Sequence, residues 1–109
     1  MQVKLKDNMR MLDVDEADFT IHSGETKEIS ERQLKSYSIK QYLIRGYLRL
    51  VEGSTTFTLK AAQVVLVAGE DYVYFKDNGM YYRKEFGQNN TEEIQKDTVP
   101  TEALTLLEV

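Results

Sequence analysis

The segment Tyr72-Val73-Tyr74-Phe75-Lys76-Asp77-Asn78-Gly79-Met80-Tyr81-Tyr82-Arg83-Lys84-Glu85-Phe86 leaves the chain little choice. Asn-Gly accepts the successive positive φ angles of a tight hairpin turn, and the flanking runs are rich in residues that fill a pleated surface. Two antiparallel strands are predicted to meet here. Alternation puts Val73 and Phe75 on one face and Tyr72, Tyr74 and Lys76 on the other. The return strand divides Met80, Tyr82, Lys84 and Phe86 from Tyr81, Arg83 and Glu85. Aromatics fall on both faces, so at least one face should present tyrosines near the surface. The plainer role for them is cross-strand pairing that stiffens the sheet. The functional role is contact, because Tyr joins a large apolar area to a hydroxyl. Tyr72, Tyr74, Tyr81 and Tyr82 are the candidate partner-contact residues.

Strand signals continue on the N-terminal side of this hairpin. Thr55 to Leu59 is rich in β-branched and aromatic residues, Gln63 to Ala68 contains Val64-Val65-Leu66-Val67, and Gly69-Glu70-Asp71 turns the chain. On its C-terminal side, Gly87 to Glu93 is polar and reads as a loop, with Thr91 a cap for at most one helical turn. Val99-Pro100 marks a boundary, and Ala103 to Val109 is read as a terminal strand available to an edge or to a partner.

The first half has a different rhythm. Val3 and Leu5 alternate with Lys4 and Lys6, which fits a strand with one wet face, and Asp7-Asn8 is turn material. Met9, Met11 and Leu12 begin a second extended run. Phe19 and Ile21 lie on one side of a third, opposite Thr20 and His22. Ser23-Gly24 supplies a turn and Thr26 to Ile29 resumes the extended pattern, so this turn is read as scaffold. Ser30-Glu31-Arg32-Gln33 and Ser38-Ile39-Lys40-Gln41 are capping-box patterns that predict a short helical turn and then a helix over 39–45. Leu34, Ile39, Tyr42 and Leu43 share one apolar face, Gly46 suits the left-handed position after a helix, and Tyr47 to Glu52 leaves as a strand.

The expected fold is therefore α+β and mainly β, with antiparallel strands and hairpins and one short helical segment near residues 31–45. Its 109 residues fit one small domain, comprising a hairpin-helix-strand unit over 1–53 and a β-rich unit over 54–109. A chain this size buries only about two-thirds of its unfolded surface, which leaves oligomerisation open as a source of stability.

Composition narrows the chemistry. The formal charge of −4 does not favour a polyanion partner, and Lys35, Lys40 and Arg45 beside Tyr37 and Tyr42 describe the wet face of a helix diluted by acids. The absence of Cys removes disulfides, thiolate metal sites and thiol nucleophiles. Asp13-Val14-Asp15-Glu16-Ala17-Asp18 places four acids in six residues, but in a calcium loop starting at Asp13 the turning glycine would be Asp18 and the closing bidentate glutamate would be Gly24. It reads as a solvated acidic loop. His22 is the only histidine and has no Ser or second ligand placed to work with it, so a turn role is expected. Glu92-Glu93 sits in a polar segment with nothing beside it to make an acid–base pair of it. No phosphate-cradling glycine loop, nucleophile elbow or metal-ligand cluster occurs, and neither catalysis nor a cofactor is expected. The N-terminus lacks the apolar core of a secretory signal and no apolar run approaches the roughly 20 residues of a membrane span, so the chain is expected to work in the cytoplasm without a membrane partner. Asn89-Asn90-Thr91 is then a chance glycosylation match.

Three stretches of the first half resemble small structural proteins of tailed bacteriophages: Val3 to Asn8, the turn Ser23 to Ile29, and the helix-to-strand passage Tyr42 to Glu52. In those proteins the turn commonly reads Pro-Gly-Glu, from which Ser23 departs. The resemblance covers about half of the chain. It implies a non-catalytic virion component, such as a head decoration, head fibre base or connector piece, assembled in the host cytoplasm and partnered by other virion proteins or by further copies of itself. The alternatives are a small phage-encoded module that inhibits a host protein, and a carbohydrate-binding domain using the tyrosines of the 72–82 hairpin.

Overall fold

A computed structural model describes residues 1–108, and Val109 lies outside the described residues. The fold is α+β and mainly β. A three-stranded antiparallel sheet is built from β1 (Gln2–Leu5) in the middle, β4 (Thr26–Glu28) on one side and β5 (Leu48–Leu50) on the other. A separate hairpin joins β2 (Met11–Val14) to β3 (Phe19–His22) through a 3₁₀ turn at Asp15–Ala17. Two short helices follow β4, α1 (Glu31–Leu34) and α2 (Tyr37–Ile44). The second half is a five-stranded antiparallel sheet in the order β10-β9-β8-β7-β6, formed by β6 (Ser54–Leu59), β7 (Ala62–Val67), β8 (Tyr72–Asp77), β9 (Met80–Glu85) and β10 (Thr91–Ile94), and it is followed by α3 (Thr101–Leu107).

Local chemistry explains several junctions. The Ser30 hydroxyl accepts from the Gln33 backbone N–H while the Gln33 side chain accepts from the Ser30 N–H, closing the predicted capping box. The second helix is capped by Ser36 instead of Ser38 and starts two residues earlier than the sequence pattern suggested. Asn78 and Gly79 take φ of +50° and +78° and close the β8–β9 hairpin. Gly24 takes φ of +82°, as the turn reading required, yet its arms do not pair with each other. β3 pairs with β2 and β4 with β1, so the turn carries the chain from one sheet to another.

Two corrections concern the C-terminal half. Thr91 belongs to strand β10, paired with β9, where a polar loop was expected. Residues 101–107 form α3 in place of a terminal strand, starting directly after Pro100, whose fixed φ and missing N–H suit the approach to a first turn. Ala103 and Leu107, one helical turn apart, are the buried residues of α3.

Both halves of the chain contribute to the main core. It joins Val3, Phe19, Ile21, Ile39, Leu43 and Leu48 from the first half to Phe57, Val64, Leu66 and Val73 from one face of the five-stranded sheet. The second core lies on the opposite face, where Val65, Tyr74, Tyr81 and Ile94 pack with Ala103 and Leu107 of α3.

The end of α3 is held electrostatically. The Glu108 carboxylate accepts from the Tyr81 hydroxyl, and its oxygens lie 3.3 Å from Lys76 Nζ and 3.4 Å from Lys96 Nζ. These contacts, the Tyr81 hydrogen bond first, hold the Glu108 carboxyl below its ordinary range. A depressed folded-state pKa adds stability above the unfolded value, and that stability is lost as the pH falls through the folded one. Wild type should therefore exceed Glu108→Gln in melting temperature at about pH 7 and lose that advantage at about pH 3. A gap of equal size at both pH values would show that the carboxylate charge is not what anchors the helix.

Candidate contact surfaces

The four tyrosines singled out by the sequence occupy three environments. Tyr74 and Tyr81 are only 2% and 8% exposed, buried between the sheet and α3, so neither presents the contact surface expected of it. The reason is α3, which covers the face that the sequence reading had left open. The Tyr74 hydroxyl donates to Glu70 at 2.7 Å; burial first, then this carboxylate, pushes its phenol well above the ordinary value. Tyr72 is half-buried on the same face, and the Arg83 guanidinium lies 4.3 Å from its ring centroid. Arg83 Nε in turn donates to Glu92 at 2.9 Å. Tyr72 thus belongs to a cation–π and ion-pair ladder across β8, β9 and β10, beside a shallow hollow of about 300 Å³ rimmed by Glu85, Gln88 and Asn90.

Tyr82 is half-buried like Tyr72 but lies outside the α3-covered face. It projects from the opposite face and stacks on Phe75 with ring centroids 5.3 Å apart and planes 16° from parallel. Both rings are half-buried and belong to neither core. Met80 shares their face and is 44% exposed. Beside this apolar strip runs β10, which pairs only with β9; Glu93 stands opposite Tyr82, and the outer side of β10 has no strand partner among the described residues.

A second surface escaped the sequence reading. At one end of β1 and β5 an open cleft of about 560 Å³ is lined by Lys4, Lys6, Arg49, Asp7, Val51 and Asp71, among others. Lys4 and Arg49 are directly opposite across the β1–β5 pair, and Lys6 lies two residues on along the same face. Arg49 is fixed by Asp71 at 2.9 Å and by the Phe86 ring, 4.4 Å from its guanidinium carbon. Lys6 lies over the Tyr47 ring at 5.7 Å. The alternation of Lys4 and Lys6 and the strand that carries Arg49 were visible in the sequence, but the pairing that sets Arg49 opposite Lys4 was not.

The remaining sequence candidates behave as ordinary surface groups. His22 is exposed and its Nδ1 is 3.8 Å from Glu25. In the acidic turn, the Thr20 hydroxyl donates to Asp13 at 2.6 Å and the Ser36 hydroxyl to Glu16 at 3.2 Å. Among the described residues no group of three or more His, Asp or Glu side chains is arranged to hold a metal ion. No family model, curated protein or solved structure matches the chain.

Proposed function

We propose that the chain is a non-catalytic structural component of a tailed-bacteriophage virion, a head or tail accessory or decoration protein that acts by attaching to a larger assembly, as the resemblance of its first half implies. The observation that supports attachment is the Phe75–Tyr82 stack, which with Met80 forms an apolar strip outside both cores and beside the open strand β10. A half-buried aromatic pair next to an edge strand with one open side offers a partner apolar area and main-chain hydrogen bonds together. Glu92 and Glu93 on β10 guard that edge against indiscriminate pairing while leaving it open to a matched partner.

On this reading the protein is found in purified particles of the virus that encodes it, assembled in the host cytoplasm, at a copy number that matches a symmetric shell or ring. Tyr82→Arg should abolish incorporation while leaving the isolated protein folded, because the ring belongs to neither core. Mass spectrometry of gradient-purified particles checks both statements. Absence of the wild-type protein from the particles overturns the virion assignment, and undiminished incorporation of the variant overturns the role of the strip.

A further inference from the structure

We propose that the cationic cleft at the end of β1 and β5 receives the acidic turn Asp13–Asp18 of a second copy of this chain, joining copies head to tail. The inference rests on the charges and the cavity, independently of the virion assignment. Like charges directly opposite on neighbouring strands destabilise a sheet, yet Lys4 faces Arg49 and Lys6 extends the same positive face in a chain of net charge −4. Among the described residues Arg49 has Asp71 as its ion-pair partner, whereas Lys4 and Lys6 form no ion pair. The cleft's volume of about 560 Å³ falls within the range that accommodates a small ligand or the tip of a loop. With Arg49 and Asp71 paired, the charged groups left in the lining are Lys4, Lys6 and Asp7, so an anion entering the cleft would meet two ammonium groups against one carboxylate.

The turn offers the complementary charge. Asp13 and Glu16 are engaged by Thr20 and Ser36, but Asp15 and Asp18 remain exposed, and Asp18 has only Arg32 nearby, at 3.9 Å. The hydrogen bond shared with Asp13 first, then the charge of Asp13, push the Asp15 carboxyl above its ordinary value, as crowding of like charges in the turn does. No acid of the turn pairs with Lys4 or Lys6 of its own chain. One copy therefore presents both halves of a contact that it does not close on itself. A contact between two different patches propagates into rings or open chains.

Sedimentation velocity across a concentration series tests the inference. Wild type should self-associate at about 0.01 M salt and dissociate at about 0.15 M, as the screening length falls from about 30 to about 8 Å. Lys4→Glu/Lys6→Glu and, separately, Asp15→Lys/Asp18→Lys should each weaken association at least about tenfold. An equimolar mixture of the two variants should restore it, because the intact turn of the first meets the intact cleft of the second. Circular dichroism establishes that both variants are folded, and Lys4→Gln/Lys6→Gln replaces the first variant if it is not. A protein that stays monomeric at low salt, variants that associate as strongly as wild type, or a mixture of folded variants that remains monomeric would each overturn the inference.

Discussion

Tyr74→Ala should lower stability by about 3–5 kcal/mol, the usual loss for emptying a large aromatic site in a packed core. The same change at Tyr82 should cost about 0.5–1.5 kcal/mol, the scale of one aromatic pair at a half-exposed position. The contrast follows from position. Tyr74 is 2% exposed and packs with Val65 and Tyr81 under α3, while Tyr82 stacks on Phe75 outside both cores. A domain of this length has roughly 5–15 kcal/mol of total stability, so the first variant is expected to approach or cross the unfolding threshold at 37 °C. Tyr74→Phe separates the two contributions of the side chain, keeping the ring and removing the hydrogen bond to Glu70. It should cost about 1 kcal/mol. Urea titration of the three variants measures all of this, and equal losses for Tyr74→Ala and Tyr82→Ala would mean that α3 does not seal the face.

The tyrosines also show where sequence reasoning stops. The β8–β9 hairpin was readable because its determinant is local: Asn78 and Gly79 specify the turn whatever lies around them. The Ser30 capping box and the left-handed Gly46 were readable for the same reason. What covers each face of the hairpin is a tertiary matter. Alternation divided the side chains of each strand correctly, but exposure was inferred from aromatics falling on both faces, and the helix that covers one of those faces was read as a terminal strand. Ala103 to Glu108 carries Leu and Thr in a run that suits either structure, and the face of the sheet decides it by burying Ala103 and Leu107 one turn apart. β10 was missed because three of its four residues are exposed and polar, leaving Ile94 as the one inward signal. The cationic cleft was illegible for a third reason. Lys4 and Arg49 are brought together by strand pairing across the α1–α2 segment, which no short window contains.

Gly46→Ala should be the most damaging glycine substitution, at about 2–5 kcal/mol, and two separable terms produce it. Gly46 takes φ of +79°, where an L side chain costs about 1–2 kcal/mol. A Cβ there would also stand 2.7 Å from both Cβ and Cγ of Phe86, an overlap that must be relieved by movement. Phe86 is not free to retreat, since its ring packs against the main core and under the Arg49 guanidinium, which Asp71 holds from the other side. Forcing such a contact typically adds about 1–3 kcal/mol. Gly24→Ala supplies the control, because φ there is +82° but nothing lies within 4 Å of the added atom. It should show the conformational cost alone, about 1–2 kcal/mol. Phe86→Ala, which removes Cγ and Cδ1 and frees the remaining Cβ to shift, should then partly rescue Gly46→Ala while leaving Gly24→Ala unimproved, a coupling that a double-mutant cycle reads directly. If Gly46→Ala and Gly24→Ala lose the same stability and the cycle shows no coupling, Phe86 yields freely and the junction between α2 and the five-stranded sheet is looser than this packing requires.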